Sequence, residues 1–235
     1  MDIIIGSARM GENGRTTGGK AGDQKQVSSP DYKGEVSEQE FYVHKKGWIV
    51  LRARNADVAK KLAIAMKTAC SNQFIGYDQN NRLDIMSHGT NSFVKTECDC
   101  SSLVRVCVQE ATGKKVSNFT TATEQSALAS LNMFDRYVYK SGMALYEGDI
   151  LVTATRGHTA IVTVGNVRGE TITYNAYTGA SKSLVDALKA VGEKDTSKEH
   201  RAKIAEANGV KNYNGNGVQN TKLLQLLRKG LLVKA

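Results

Sequence analysis

The chain has 235 residues, of which 40% are hydrophobic, 6% aromatic and 23% charged, with a single proline. That composition supports a real core and excludes a low-complexity tail, a collagen and a disordered solvating chain. The formal charge of +9 calls for a polyanionic partner: nucleic acid, an acidic membrane or the anionic polymers of a bacterial wall.

No apolar stretch approaches the roughly 20 residues that span a bilayer. The opening Met1-Asp2-Ile3-Ile4-Ile5-Gly6 carries neither a basic leader nor a long apolar run, so cytoplasmic synthesis without an export signal is expected. Four cysteines, two of them at Cys98 and Cys100, do not form the dense framework of a small secreted scaffold, and reduced thiols are expected.

In chain order, the first third reads as irregular, with an edge strand at Ile3, Ile4 and Ile5 followed by a glycine-frequent loop as far as Gly22. Residues 14–20 fit G-x-x-x-x-G-K, but Ala21 replaces the hydroxyl residue that would hold magnesium, and a phosphate loop is rejected. The following Gly22-Asp23-Gln24 reads as a turn, either at the surface or shaping a cleft. Trp48-Ile49-Val50-Leu51 reads as a buried strand, and Val58, Leu62, Ala65 and Ala69 fall at helical spacing over residues 57–70. Gly76-Tyr77-Asp78 signals a turn. From Cys100, the residues Leu103, Val104 and Cys107 mark one helix face, with Cys100 in the first turn. Thr121 and Glu124 read as a capping box opening another helix.

Residues 149–155, 158–164 and 171–177 then alternate as strands of an antiparallel meander. Helices followed by antiparallel strands predict an α+β domain with helices packed on one sheet face. Beyond Gly179 three short helices are expected: one striped by Leu184, Ala187, Leu188 and Val191, one capped at Thr196, and one carrying Leu223, Leu224, Leu226 and Leu227. Residues 180–235 hold eleven Lys and Arg against five Asp and Glu, a net +6. The predicted division is therefore 1–178 and a basic helical module at 180–235.

Cys100 carries the most chemistry. A thiol at a helix N-terminus faces unpaired N–H groups and the positive end of the dipole, which favour the thiolate. The bland alternative is a small buried core residue. Its context is Asp99-Cys100-Ser101-Ser102-Leu103-Val104, followed downstream by Glu147-Gly148-Asp149-Ile150-Leu151-Val152 and by Gly157-His158-Thr159-Ala160. A Cys that opens a helix and a His that opens a strand resemble the papain-like NlpC-type cysteine peptidases of bacterial cell walls.

That resemblance implies a nucleophile at Cys100, a base at His158 and an Asn, His or Gln orienting the imidazole. Asn175 fills that role if the loop at residues 166–169 closes a symmetric hairpin that sets Asn175 opposite Ala160. Tyr77 matches the tyrosine which the family places upstream of its nucleophile, although a core or turn role is equally open to it. Asp99 and Ser101 flank the nucleophile as candidate substrate-binding residues.

The tail residues Ala207-Asn208-Gly209-Val210-Lys211-Asn212-Tyr213 and Gln219-Asn220-Thr221-Lys222-Leu223-Leu224 resemble the small wall-binding modules of phage endolysins. The resemblance thus implies an endolysin that cleaves an amide bond of peptidoglycan, as a stem-peptide endopeptidase or an N-acetylmuramoyl-L-alanine amidase, without metal or cofactor. It would be released to the wall by a separate membrane-permeabilising protein, and its partners would be peptidoglycan and anionic wall polymers.

Two other readings compete: a catalytically inactive wall-binding protein, and a nucleic-acid binder. The second is weakened because Tyr213 stands alone as an aromatic on the basic tail. A zinc set of Cys98, Cys100, Cys107 and His88 lacks the usual paired spacing. His44 and His200 read as solvated, and Cys70 as core.

Overall fold

The computed structural model describes residues 2–22, 34–166 and 173–234. The chain forms two compact units, residues 1–169 and residues 170–235.

The first unit is α+β, as the pattern of helices and alternating strands predicts. Its strands are β1 (Ile4–Ala8), β2 (Val36–Glu40), β3 (Trp48–Ala53), β4 (Ile75–Tyr77), β5 (Thr96–Cys98), β6 (Phe134–Val138), β7 (Ile150–Thr153) and β8 (Thr159–Val164). Six of them make one antiparallel sheet in the order β2-β1-β8-β7-β3-β6, and β4 and β5 pair in parallel beside it. Its helices are α1 (Ala56–Ser71), α2 (Ile85–His88), α3 (Cys100–Thr112) and α4 (Glu124–Ser130).

Strand alternation gives the sheet two apolar faces. Ile49, Leu51, Ile150, Val152 and Ile161 join Leu62, Met66, Leu103, Val104 and Cys107 of α1 and α3 in the main core. Trp48, Val50, Leu151, Ala160 and Val162 point the other way and pack with Ile5 and Leu145. Close approach of α1 to the sheet demands a residue without Cβ, and Gly6 supplies it: a Cβ there would stand 2.5 Å from Met66 Cγ. Asn55 caps α1 by accepting from the N–H groups of Asp57 and Val58. Gly113, with φ of 65°, ends α3 in the left-handed region.

The sheet departs from the sequence expectation in four places. The Ile4 strand lies inside the sheet, between β2 and β8, rather than at an edge. Long-range pairing supplies partners that a glycine-rich local sequence does not announce. Gly76-Tyr77-Asp78 is not a turn; Gly76 and Tyr77 belong to β4, where Gly76 leaves room for the backbone at Lys20 and the Glu35 carboxylate. The helix expected at Thr121 opens at Glu124, with Thr123 at the N-cap and no side-chain cap bond. Residues 173–177 do not form the expected strand: Thr173 makes an isolated bridge to Val233, and Tyr174 to Tyr177 belong to neither sheet. Residues 167–172, and with them most of the expected hairpin loop, lie outside the described residues, as do Asp23 and Gln24.

The second unit holds the three predicted helices, α5 (Leu184–Ala190), α6 (Lys198–Ala207) and α7 (Gly217–Arg228), around a core of Leu184, Leu188, Ile204, Leu223 and Leu227. Their caps are Ser183, Ser197 and Asn216, each accepting from a backbone N–H of the first turn. Ser197 therefore takes the role expected of Thr196. Asn208 ties α6 to the chain end by donating to Val233 O at 2.9 Å and accepting from Val233 N at 2.9 Å.

Candidate active site

Helix α3 starts at Cys100 because Asp99 caps it. Asp99 Oδ1 accepts from Ser102 N at 2.6 Å, and Ser102 Oγ accepts from Asp99 N at 2.9 Å, a reciprocal capping box. Arg82 braces the same turn, donating to Asp99 Oδ2 at 2.6 Å, Ser101 Oγ at 2.9 Å and Phe119 O at 2.6 Å. Asp99 and Ser101 are both buried, and their polar groups are engaged by this brace and cap. Their bonds are those of residues that fix the helix start.

Cys100 is 8% exposed. The backbone N–H groups of Thr159 and Ser101 favour the thiolate, but burial is the larger effect, and with Asp99 and Glu124 nearby it pushes the thiol up to about 12. The helix N-terminus alone thus does not ionise this cysteine. Tyr77, at the end of β4, lies close enough to Cys100 that the thiolate's charge would raise its phenol further, beyond what burial already does. Gln79 Nε2 donates to Tyr77 Oη at 3.1 Å, so the phenolic proton remains for another acceptor.

The glycine-rich segment of residues 11–20 shapes the surroundings of Tyr77. Gly11 and Gly19 lie against Tyr77 O, where a Cβ would stand at 3.2 and 2.9 Å. Gly18 N donates to Asp78 Oδ2 at 2.8 Å. The buried Glu35 carboxyl accepts from Tyr77 N at 2.5 Å and Glu12 N at 3.1 Å, and burial raises it to about 8. These glycines serve close backbone packing beside Tyr77.

His158 immediately precedes β8, held by Thr153, whose Oγ1 accepts from His158 N at 3.1 Å. Its Nε2 meets Ser7 Oγ of β1 at 3.2 Å, and the ring lies 6.3 Å from that of Trp48. Burial, with Arg9 and His44 adding to it, lowers the imidazole to about 3, so it is neutral at pH 7. The Ser7 bond is the imidazole's one hydrogen bond among the described residues, and Nδ1 keeps the other ring position.

The structure therefore gathers Tyr77, Asp99, Cys100 and Ser101 at one end of α3, with Thr159, whose backbone N–H favours the thiolate, following His158 in the chain. It does not produce the register expected for Asn175. Ala160 lies opposite Leu151, and the other side of β8 is occupied by β1, where Gly6 faces Ile161. Asn175 is an exposed residue of the second unit. Two residues close to the site are not legible in the sequence: Ser7 carries no local signal, and the pattern at Glu124 reads as a cap.

Residues 5–169 match the endolysin-like domain, and the chain belongs to that family. This makes it an endolysin-like hydrolase of cell-wall peptidoglycan. No curated protein and no solved structure matches it. Among the described residues no helix is long and apolar enough to cross a membrane, and no group of three or more His, Cys, Asp or Glu residues is arranged to hold a metal ion.

Proposed function

We propose that the first unit hydrolyses a peptidoglycan amide bond with Cys100 as nucleophile and His158 as base, in the manner of the NlpC-type peptidases it resembles. The observation that carries this reading is the start of α3 at Cys100, capped by Asp99 and braced by Arg82, with the backbone N–H of Thr159, next to His158 in the chain, favouring its thiolate. Ser7 takes the orienting role in place of Asn175: by accepting Nε2–H it leaves the Nδ1 lone pair as the base.

Both groups are neutral at rest, so the proton moves as the bond forms. The Cys100 thiol gives its proton to His158 while sulfur attacks the carbonyl carbon. The imidazolium then protonates the leaving amine as the C–N bond breaks, and water activated by His158 cleaves the thioester to a carboxylic acid and the free thiol. The Cys100 N–H and the Tyr77 hydroxyl are the oxyanion donors in this scheme. Asp99 and Ser101 fix the first turn of α3. In the second unit, the basic surface binds anionic wall polymers.

Cys100→Ala should abolish release of new amino termini or stem peptides from purified walls while sedimentation with those walls persists. Mass spectrometry of the digest identifies the bond. Undiminished release would overturn the cysteine mechanism. The raised Cys100 thiol favours one second reading, a wall-binding protein without turnover, and wild-type protein that sediments with walls yet releases nothing would establish it.

A further inference from the structure

Glu124 is the first residue of α4 and is completely buried. A carboxylate at that position is ordinarily exposed, facing its own helix N-terminus. Here Oε1 instead accepts from Thr159 Oγ1 at 2.8 Å, and Oε2 is buried with no hydrogen-bond partner among the described residues. The same hydroxyl also lies 3.0 Å from Leu151 O on β7, which fixes Thr159 between strand and helix. Thr159 thus has its hydroxyl on Glu124, while its backbone N–H favours the Cys100 thiolate, so one residue links the buried carboxyl to the thiol.

A buried carboxylate with one free oxygen is costly, whereas the protonated acid leaves Oε1 as acceptor and keeps charge out of the core. Burial accordingly raises Glu124 to about 8, with the Thr159 bond opposing and Asp99 adding to the shift. The groups facing it are few. From α3 come Asp99, paired with Arg82, and Cys100; β8 presents Thr159, with neutral His158 before it. On β6, Arg136 is hydrogen-bonded to Gln125 and Asp135 is paired with Arg54.

We propose that Glu124 is a positioning residue of the Cys100 site: as a neutral acid it fixes Thr159, whose backbone N–H favours the thiolate, and on ionising it opposes the thiolate and turns the hydrolase down in alkaline solution. This rests on Cys100 being the nucleophile. The coupling is reciprocal: a charge on Glu124 disfavours the thiolate, and a thiolate disfavours the charge on Glu124.

The test is the pH dependence of Cys100 alkylation by iodoacetamide in the full chain, resolved from Cys70, Cys98 and Cys107 by peptide mass spectrometry. It needs no wall substrate. Glu124→Gln keeps the acceptor and removes the charge, so the midpoint should fall by about one pH unit, a roughly tenfold faster reaction on the rising limb. The alkaline decline in wall hydrolysis should flatten in the same variant. Thr159→Val removes the hydroxyl by which Glu124 holds the Thr159 backbone near the sulfur, so it should raise the midpoint, opposite to Glu124→Gln. It also stands in if Glu124→Gln does not fold. A folded variant with the wild-type midpoint overturns the inference, because a merely structural role would alter stability and leave the midpoint in place. Wall hydrolysis by Cys100→Ala would instead overturn the nucleophile itself, so the two failures are distinguishable.

Discussion

Ser7 and His158 are 151 positions apart in the chain and 3.2 Å apart between Oγ and Nε2. Register brings them together: β1 lies antiparallel to β8, and Ser7 follows Gly6, which faces Ile161. A hydroxyl there can hold one imidazole tautomer, and Trp48 flanks the ring. Ser7→Ala should lower kcat roughly tenfold, a loss of about 1.4 kcal/mol, with KM little changed. Asn175→Ala should leave kcat at the wild-type value. Steady-state release of amines from purified walls measures both variants, and the reverse ranking would return the orienting role to Asn175.

Arg82 lies well before Cys100 in sequence yet holds its helix start through Asp99, Ser101 and Phe119. Arg82→Ala strands the Asp99 carboxylate beside Cys100 without its cation, and the loss of a largely buried pair is expected to cost about 3 kcal/mol. Arg82→Lys should recover only part, because an ammonium cannot reproduce the guanidinium fork. Urea unfolding gives the stability change. Loss of hydrolysis at a urea concentration where Arg82→Ala remains folded would add a direct effect on the site.

What the sequence disclosed follows from how local each signal is. The α3 face, the start at Cys100 and the strand after His158 are short-range patterns, and they emerge as read. Ser7 and β2 were illegible because their meaning comes from pairing with a strand more than 150 residues away and from a partner beyond the glycine-rich loop. Asn175 was placed by assuming that consecutive strands pair. The chain instead inserts β1 beside β8 and β3 beside β7, which removes the assumed neighbour. Glu124 fitted a capping box locally, but burial against Thr159 gave its carboxyl a different partner.

Stability should fall between about pH 6.5 and 8. Glu35 and Glu124 are raised from 4.5 to about 8, so the folded chain keeps protons that the unfolded chain releases, and their stabilising contribution is lost progressively as pH rises from about 4.5 to 8. His158 acts oppositely: lowered from 6.5 to about 3, it makes the fold gain stability as pH rises from 3 to 6.5 and adds nothing above. The carboxyls therefore dominate the neutral range. Thermal unfolding should show Tm dropping by several degrees from pH 6.5 to 8.5, and Glu35→Gln should make that slope shallower. A flat wild-type profile would mean that the two carboxyls are already ionised near neutrality.

Arg52 of β3 and Asp149, just before β7, form an ion pair, with Nε to Oδ1 at 2.8 Å and Nη2 to Oδ2 at 2.6 Å, beneath the ring of Tyr146 at 4.3 Å. Asp149 is buried and also accepts from Tyr146 N at 2.9 Å, so it fixes the turn entering β7. That turn needs Gly148, whose φ is 81° and where a Cβ would stand 2.1 Å from Ala59 O. Asp149→Ala should cost about 3–5 kcal/mol by urea unfolding, because it leaves a guanidinium largely out of water. Arg52→Met, which removes the charge and keeps apolar volume, should be less damaging to the sheet than Arg52→Ala. Equal losses for the two Arg52 variants would assign the stabilisation to charge rather than packing.

Three lysines of the second unit, Lys211, Lys222 and Lys229, are exposed, and they belong to a segment with a net charge of +6. If that surface holds anionic wall polymers, the triple change to Glu should weaken sedimentation with walls and raise the apparent KM for wall hydrolysis. The kcat should stay unchanged, because uniform binding is lost without loss at the reacting bond. The difference between wild type and variant should shrink as salt rises, since the Debye length falls from about 10 Å at 0.1 M to about 3 Å at 1 M. Walls stripped of their anionic polymers should erase the difference at low salt as well. A difference that survived stripping would redirect the basic surface to the peptidoglycan itself.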